Sequence, residues 1–227
     1  MFNYYGSKSK ITDLYPPPEF DEIIEPFAGS ARYACHYHTH DVLLVEINPI
    51  IAQIWRFLIN DATPEGIIGL PDPSEGDRIS SYTQLSQVER DLMGFCAGGS
   101  GVSRPYDKVT SRPIKNSQWY CAKKRIAKMV PRVRHWRIVE TSYENVRINP
   151  EATWFVDPPY AGPAGTGYKY SSIDYKRLAE WCLARRGQLI VCEGVGADWL
   201  PFEPLPGKHH QCRGTTREAV YLGGVRA

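Results

Sequence analysis

Short apolar runs alternate with amphipathic stretches along most of the chain. Apolar runs bounded by turn residues predict strands at 21–25, 42–47, 136–139, 153–156, 189–192 and 219–222. Helical spacing of the apolar positions predicts helices at 32–37, 50–59, 117–130 and 175–185. Because strands and helices alternate, the pattern predicts an α/β fold with a doubly wound, mostly parallel sheet.

Between residues 61 and 112 this alternation is replaced by stretches rich in Pro, Gly, Ser and Asp. The segment predicts loops and a short helix near 85–95. We therefore expect a small inserted recognition region at 61–112, within a catalytic domain formed by 1–60 and 113–227. Loops mounted on a rigid sheet are where specificity is commonly placed.

Composition excludes several classes of protein. The 227 residues, 42% of them hydrophobic, suffice for one substantial core. No run approaches the roughly 18 apolar residues of a membrane span, and the start lacks the apolar core of a signal peptide, so a cytoplasmic location is predicted. The six cysteines have no CxxC spacing, and no metal site is predicted.

The positive charge is concentrated in one segment. Residues 108–137 contain ten Lys and Arg and no Asp or Glu, whereas the net charge of the whole chain is only +2. The segment is either a solvated helix face or a phosphate-facing surface, and its interleaved aromatics favour the second. Helical spacing turns Trp119, Ala122, Ile126 and Met129 inward. The predicted phosphate contacts are Arg104, Arg112, Lys115, Lys123, Lys124 and Lys128, of which the last three are expected on the outer face of the helix.

The strongest chemical signal is the tetrapeptide Asp157-Pro158-Pro159-Tyr160, directly after the apolar strand 153–156. Ligands of open α/β sheets bind beyond the carboxyl ends of strands. Two prolines make the backbone rigid and leave its carbonyls free to accept hydrogen bonds. With a carboxylate and an aromatic ring beside them, they predict a pocket for a planar group that bears an amino function.

A second signal is the small-residue turn at 25–31, EPFAGSA, which follows the first predicted strand. Small residues allow the backbone to approach a ligand closely. Glu46 ends the next strand about twenty residues later, the spacing at which a carboxylate binds ribose hydroxyls. The full GxGxxG pattern is missing, so a nucleoside such as S-adenosylmethionine (AdoMet) is favoured over a dinucleotide.

Together these motifs resemble the Dam-type DNA adenine methyltransferases. DPPY at 157–160 resembles the catalytic motif of that family, and EPFAGSA resembles its EPFxGxG loop. Further similar segments are YYGSK at 4–8 (WxGGK in the family), VEINP at 45–49 (NDINP), TSYENV at 141–146 and TREAVYL at 216–222. The matches follow the order of the family and span nearly the whole chain. Tyr4, Ser30 and Glu46 depart from the family's Trp, Gly and Asp but preserve the chemical role.

The resemblance implies a Rossmann-like, AdoMet-dependent methyltransferase in a bacterial or phage-infected cell, with double-stranded DNA as its partner. It implies methyl transfer to N6 of an adenine flipped out of the duplex, with Asp157, Pro158, Pro159 and Tyr160 as catalytic residues. The implied cofactor contacts are Tyr4, Tyr5, Gly6, Lys8, Glu25, Pro26, Phe27, Ala28, Gly29, Ser30, Glu46, Ile47, Ser142, Tyr143 and Asp157.

In the implied mechanism, the Asp157 side chain and the Pro158 carbonyl accept the two amino hydrogens, and Tyr160 stacks on the base. Methylation of RNA adenine stays open. Cytosine N4 and glutamine methyltransferases more often carry SPPY and NPPY, so Asp157 favours adenine. The alternative from another functional class is a catalytically silent DNA-binding protein of the same fold.

Overall fold

The computed structural model describes residues 1–4, 6, 8, 11–97, 105–109, 118–162, 165–206, 209–211 and 214–224. Four residues with predicted roles, Tyr5, Arg104, Arg112 and Lys115, lie outside the described residues.

A seven-stranded sheet forms the centre of the protein. Its strands are β1 (Glu22–Glu25), β2 (Asp41–Glu46), β3 (Arg137–Glu140), β4 (Ala152–Val156), β5 (Gly187–Gly194), β6 (Glu203–Pro204) and β9 (Glu218–Gly223). Their spatial order is β3-β2-β1-β4-β5-β9-β6. β1 to β5 pair in parallel, and β9 is antiparallel to both β5 and β6. A separate hairpin consists of β7 (His209–Gln211) and β8 (Gly214–Thr216).

The described helices are α1 (Arg32–His36), α2 (Pro49–Asn60), α3 (Pro64–Gly69), α4 (Gln87–Ala97), α5 (Gln118–Met129) and α6 (Tyr175–Leu183). α2 starts sharply because Pro49 occupies its first turn and the Asn48 side chain accepts from the Ile50 amide at 3.2 Å. None of the helices in the described ranges combines the length and the apolar character that a bilayer crossing requires.

Two hydrophobic layers cover the sheet. Ile23 of β1 belongs to a core shared with α1, α2, α4 and α5, whereas its neighbour Ile24 belongs to a core shared with α6. Successive strand residues point to opposite faces, so a strand buried on both faces is apolar throughout. Helices on both faces of a mostly parallel sheet confirm the predicted doubly wound α/β class.

The six predicted strands and five predicted helices are all present, with each end within two residues of its predicted position. α3, β6, β7 and β8 were not predicted. Within the proposed insert, Leu92, Met93, Phe95 and Cys96 of α4 are fully buried in the core that α2 also uses. The described part of 61–112 therefore packs into the main core, and its role in recognition stays a prediction.

The strand order places a crevice between β1 and β4. From β1 the sheet continues through β2 and β3 on one side and through β4 and β5 on the other. Such a reversal leaves the carboxyl ends of the two central strands uncovered, and ligands bind there in open α/β sheets.

Candidate active site

A cavity of about 320 Å³ lies at this edge of the sheet. Its walls include Glu25 at the end of β1, Glu46 at the end of β2 and Asp157 just after β4. The volume falls in the range of small-molecule sites. Three acidic residues at the ends of three strands therefore line one cavity.

The turn after β1 forms the floor of the cavity. Gly29 and Ala31 have φ angles of 46° and 44°, in the left-handed region. Trp55 Nε1 donates to the Gly29 carbonyl at 2.8 Å and anchors the turn on α2. A Cβ on Gly29 would lie 3.0 Å from Tyr4 Cδ1, so a larger residue would be both strained and crowded. The backbone of the EPFAGSA turn thus requires glycine at position 29.

Glu46 holds the turn in place. Its Oε2 accepts from the Gly29 amide at 2.8 Å, and its Oε1 accepts from the Asn48 amide at 2.8 Å. Burial raises the pKa of Glu46 to about 6, although these amides act to lower it. Each carboxylate oxygen can accept more than one hydrogen bond, so Glu46 can still bind hydroxyls in the cavity.

Apolar side chains line another part of the cavity. The Phe27 and Tyr143 rings lie with their centroids 5.2 Å apart. Ile47 is 43% exposed and also lines the cavity. Two rings and an aliphatic side chain beside a carboxylate form a wall suited to a purine next to its ribose.

Asp157 and Lys8 form an ion pair within the cavity wall. Lys8 Nζ lies 2.8 Å from Asp157 Oδ1, and the two side chains are 5% and 23% exposed. Burial raises the pKa of Asp157 to about 6, because the attraction of Lys8 offsets desolvation only in part. Asp157 is therefore mostly ionised at neutral pH and can accept hydrogen bonds.

Behind Asp157 lies a cluster that the sequence motifs did not reveal. Tyr160 donates its hydroxyl to Glu218 on β9, and Lys8 Nζ lies 4.6 Å from the centroid of the Tyr160 ring. Lys8 Nζ is also 3.9 Å from Glu218 Oε2. Glu218 directly precedes the apolar run of β9, and an acid in a buried strand is itself the signal of a polar partner.

The segment that follows the tetrapeptide also reaches the cavity, which sequence reasoning missed. Tyr175 donates its hydroxyl to the Pro159 carbonyl at 2.7 Å, and Glu193 accepts from the Ala161 amide at 3.0 Å. These bonds fix the start of the segment. Its cavity-lining residues are Tyr168, Lys169, Tyr170, Ser172, Ile173 and Asp174.

Most of the predicted cofactor residues lie around the one cavity. Those that line it are Tyr4, Gly6, Lys8, Glu25, Pro26, Phe27, Ala28, Gly29, Ser30, Glu46, Ile47, Ser142, Tyr143 and Asp157. Of the predicted catalytic residues, Asp157 and Pro159 line it, whereas Pro158 and Tyr160 are not among its lining residues. The chemical roles of these residues stay predictions.

The prediction that Lys123 lies on the outer face of its helix is wrong. Lys123 is buried, and its Nζ donates to the Leu70 carbonyl at 2.9 Å and pairs with Asp72 Oδ1 at 2.7 Å. The chain that follows α3 passes beside α5 and supplies these acceptors. Lys124 and Lys128 are exposed as predicted, and Arg125 shares their exposure.

Comparisons with known proteins give only remote similarity. No family model matches the chain. No curated protein is significantly similar to it. A conserved hypothetical protein from Streptococcus pyogenes is 12% identical, with 91% of this chain and 89% of that chain covered and a TM-score of 0.36. The structure described as "Putative methyltransferase yhhF from Escherichia coli" is 10% identical, with 89% and 75% covered and a TM-score of 0.37. Both scores are low, and the fold described above rests on the strand order of this chain.

Proposed function

We propose that this protein is an AdoMet-dependent methyltransferase that acts on the exocyclic N6 amino group of adenine in DNA. The observation that carries the proposal is that Asp157, in its DPPY tetrapeptide, shares one cavity with Glu46 and the EPFAGSA turn. The cavity would thus combine a hydrogen-bond acceptor for an amino group with a wall for a nucleoside.

The cavity suits AdoMet. Glu46 is placed to accept hydrogen bonds from the ribose hydroxyls, and Phe27, Ile47 and Tyr143 would enclose the adenine ring. The tight turn at Gly29 lets the backbone approach the ligand. When bound, AdoMet would supply a methyl group on a positively charged sulfur.

Asp157 would orient the target amino group. Its Oδ1 pairs with Lys8, and within the described residues no partner contacts its Oδ2. The nitrogen lone pair of an adenine amino group is delocalised into the ring and is a poor nucleophile. Hydrogen bonds from its two hydrogens to Asp157 and to the Pro158 carbonyl would favour a pyramidal nitrogen with its lone pair free for attack.

The proton released from that nitrogen would pass to Asp157 or to water. A carboxyl group whose pKa is raised to about 6 accepts a proton more readily than an ordinary aspartate. Methyl transfer then needs orientation and charge placement and no covalent intermediate on the protein.

DNA is the proposed partner because exposed basic side chains cluster on α5 and because a target base must leave the duplex to reach Asp157. A flipped base that reaches Asp157 would stack on the nearby Tyr160 ring, against which Lys8 also lies.

The direct test is transfer of tritium from methyl-labelled AdoMet to unmethylated DNA and, in parallel, to RNA, followed by digestion to nucleosides. Labelled N6-methyldeoxyadenosine is the expected product. Label in RNA adenosine or in N4-methyldeoxycytidine would reassign the substrate. AdoMet binding without any transfer to DNA or RNA would reject the proposed activity.

A further inference from the structure

A cluster of three interacting carboxylates includes Asp157 in the cavity wall. Asp157 follows β4, Glu193 lies on β5 and Glu218 lies on β9, and the Glu193 and Glu218 side chains are fully buried. Glu193 accepts from the Ala161 and Gly194 amides and from Trp199 Nε1 at 2.7 to 3.0 Å. Within the described part of the chain, Lys8 is the cation that pairs with this cluster.

The position of Lys8 is defined on three sides. Its Nζ lies 2.8 Å from Asp157 Oδ1, 3.9 Å from Glu218 Oε2 and 4.6 Å from the centroid of the Tyr160 ring. It also donates to the Gly6 carbonyl at 3.3 Å. A buried ammonium group is costly unless such partners surround it. The geometry therefore fixes the ammonium group between the two carboxylates.

Glu218 connects this ammonium group to the tetrapeptide by a second route. It accepts the hydroxyl of Tyr160, whose ring lies against Lys8. Tyr160 follows Asp157 by three residues along a rigid Pro-Pro link. Displacement of Glu218 would therefore move both Lys8 and Tyr160.

We propose that Lys8 and Glu218 are positioning residues: Lys8 holds Asp157 ionised and turned so that one carboxylate oxygen faces the substrate amino group, and Glu218 holds Lys8 and Tyr160 in place. This inference rests on the proposed function for its catalytic meaning. The electrostatic coupling that it describes is measurable in the protein alone.

Several groups face Asp157, from every element packed around it. They are Lys8 in the N-terminal segment, Tyr15 in the segment before β1, Glu25 of β1, Tyr160, Cys192 and Glu193 of β5, and Glu218 of β9. Lys8 lowers the pKa of Asp157, whereas Glu218 and Glu193 raise it. Removing Lys8 and removing the charge of Glu218 should thus move the pKa of Asp157 in opposite directions.

The experiment is a pH titration of the Asp157 carboxyl carbon by NMR, in protein with ¹³C-labelled aspartate and with the signal assigned from Asp157→Asn. In Lys8→Met the pKa should rise by about 1 or more, and in Glu218→Gln it should fall. Glutamine at 218 can still accept the Tyr160 hydroxyl. Lys8→Arg keeps the positive charge, so the pKa of Asp157 in this variant should stay closer to its wild-type value. Lys176→Met, on the exposed face of α6, is the matched control and should change nothing.

Shifts in the same direction, or no shift in either variant, would overturn the inference. If Lys8→Met fails to fold, Glu218→Gln decides alone, since an unchanged or raised pKa contradicts the coupling. The NMR result does not depend on methyl transfer, so an inactive protein with the expected shifts rejects the proposed function alone. In an active protein, the acid limb of the pH–rate profile should move with the pKa of Asp157.

Discussion

Tyr160 donates its hydroxyl to Glu218, a carboxylate 58 residues further along the chain. The bond joins the end of β4 to β9 across the intervening strand β5. Glu218 is buried and cannot follow a moving ring. The orientation of the Tyr160 ring is therefore fixed by the fold before any substrate binds, as stacking on a flipped base requires.

Two variants of Tyr160 should differ in their effect on base stacking. Tyr160→Phe keeps the ring and should keep most of the base stacking. Tyr160→Ala should lose about 1 to 3 kcal/mol of stacking. The measurement is the fluorescence of 2-aminopurine at the target position of DNA, which reports base flipping. Full flipping in Tyr160→Ala would exclude the ring from this role.

Asp157→Ala should lower methyl transfer by about 10²-fold or more, because a preorganised polar group at the reacting nitrogen is removed. AdoMet and DNA binding should change little. Single-turnover transfer of labelled methyl groups measures the decrease, and Asp198→Ala, an exposed aspartate beyond β5, is the matched control. Near wild-type turnover in Asp157→Ala would contradict the catalytic assignment.

Glu46→Ala should weaken AdoMet binding through loss of a charge-assisted hydrogen bond of about 1.5 to 3 kcal/mol. Because Glu46 also accepts from the Gly29 and Asn48 amides, the variant should melt at a lower temperature. Calorimetric titration measures the affinity, and Glu180→Ala on the exposed face of α6 serves as control. A lower melting temperature with unchanged affinity would make Glu46 purely structural.

Glu25 predicts a pH dependence of stability. Burial raises its pKa from 4.5 to about 8, opposed by the Ala34 amide and assisted by Asp157. The folded state thus binds more protons than the unfolded state in this range, so the contribution of Glu25 to stability falls as pH rises from about 4.5 to about 8.

Glu25 Oε1 accepts a hydrogen bond from the Ala34 amide at 2.7 Å. Glu25→Gln removes the ionisable group, and the glutamine oxygen can still accept this hydrogen bond. The melting temperature of the variant should therefore rise relative to that of the wild type as pH increases, and this difference should become constant above about pH 8. The corresponding gain in the free energy of unfolding is on the order of a few kcal/mol. A difference that is constant from about pH 5 to about pH 9 would contradict the raised pKa.

The fold and the cavity could be predicted because strand ends and turns depend mainly on residues that are close together in the sequence. The EPFAGSA turn and Asp157 each follow an apolar run, and parallel strands bring such ends to one edge. The role of Glu218 could not be predicted, since it depends on which strand lies beside β5. Periodicity also failed for Lys123, because it cannot show that the Leu70 carbonyl and Asp72 pack against α5.

The exposed basic face of α5, formed by Lys124, Arg125 and Lys128, provides the test of the proposed DNA partner. If these side chains bind phosphates, replacing all three by Gln should weaken binding to every DNA sequence about equally. The slope of log affinity against log salt should flatten by about 0.9 for each phosphate that is no longer neutralised. Preference for the target sequence should survive, because side chains on phosphates do not read bases.

Lys123→Gln is the contrasting variant on the same helix. Its ammonium group pairs with Asp72 and donates a hydrogen bond to the Leu70 carbonyl, so its removal should lower the free energy of unfolding by about 1 to 3 kcal/mol. The slope of log affinity against log salt should stay unchanged. Fluorescence anisotropy across a salt series and thermal melting measure the two effects. If the triple variant left the slope unchanged, α5 would not be the surface that meets DNA. If Lys123→Gln flattened the slope as much as a single exposed substitution, the change in slope could not be assigned to the exposed face.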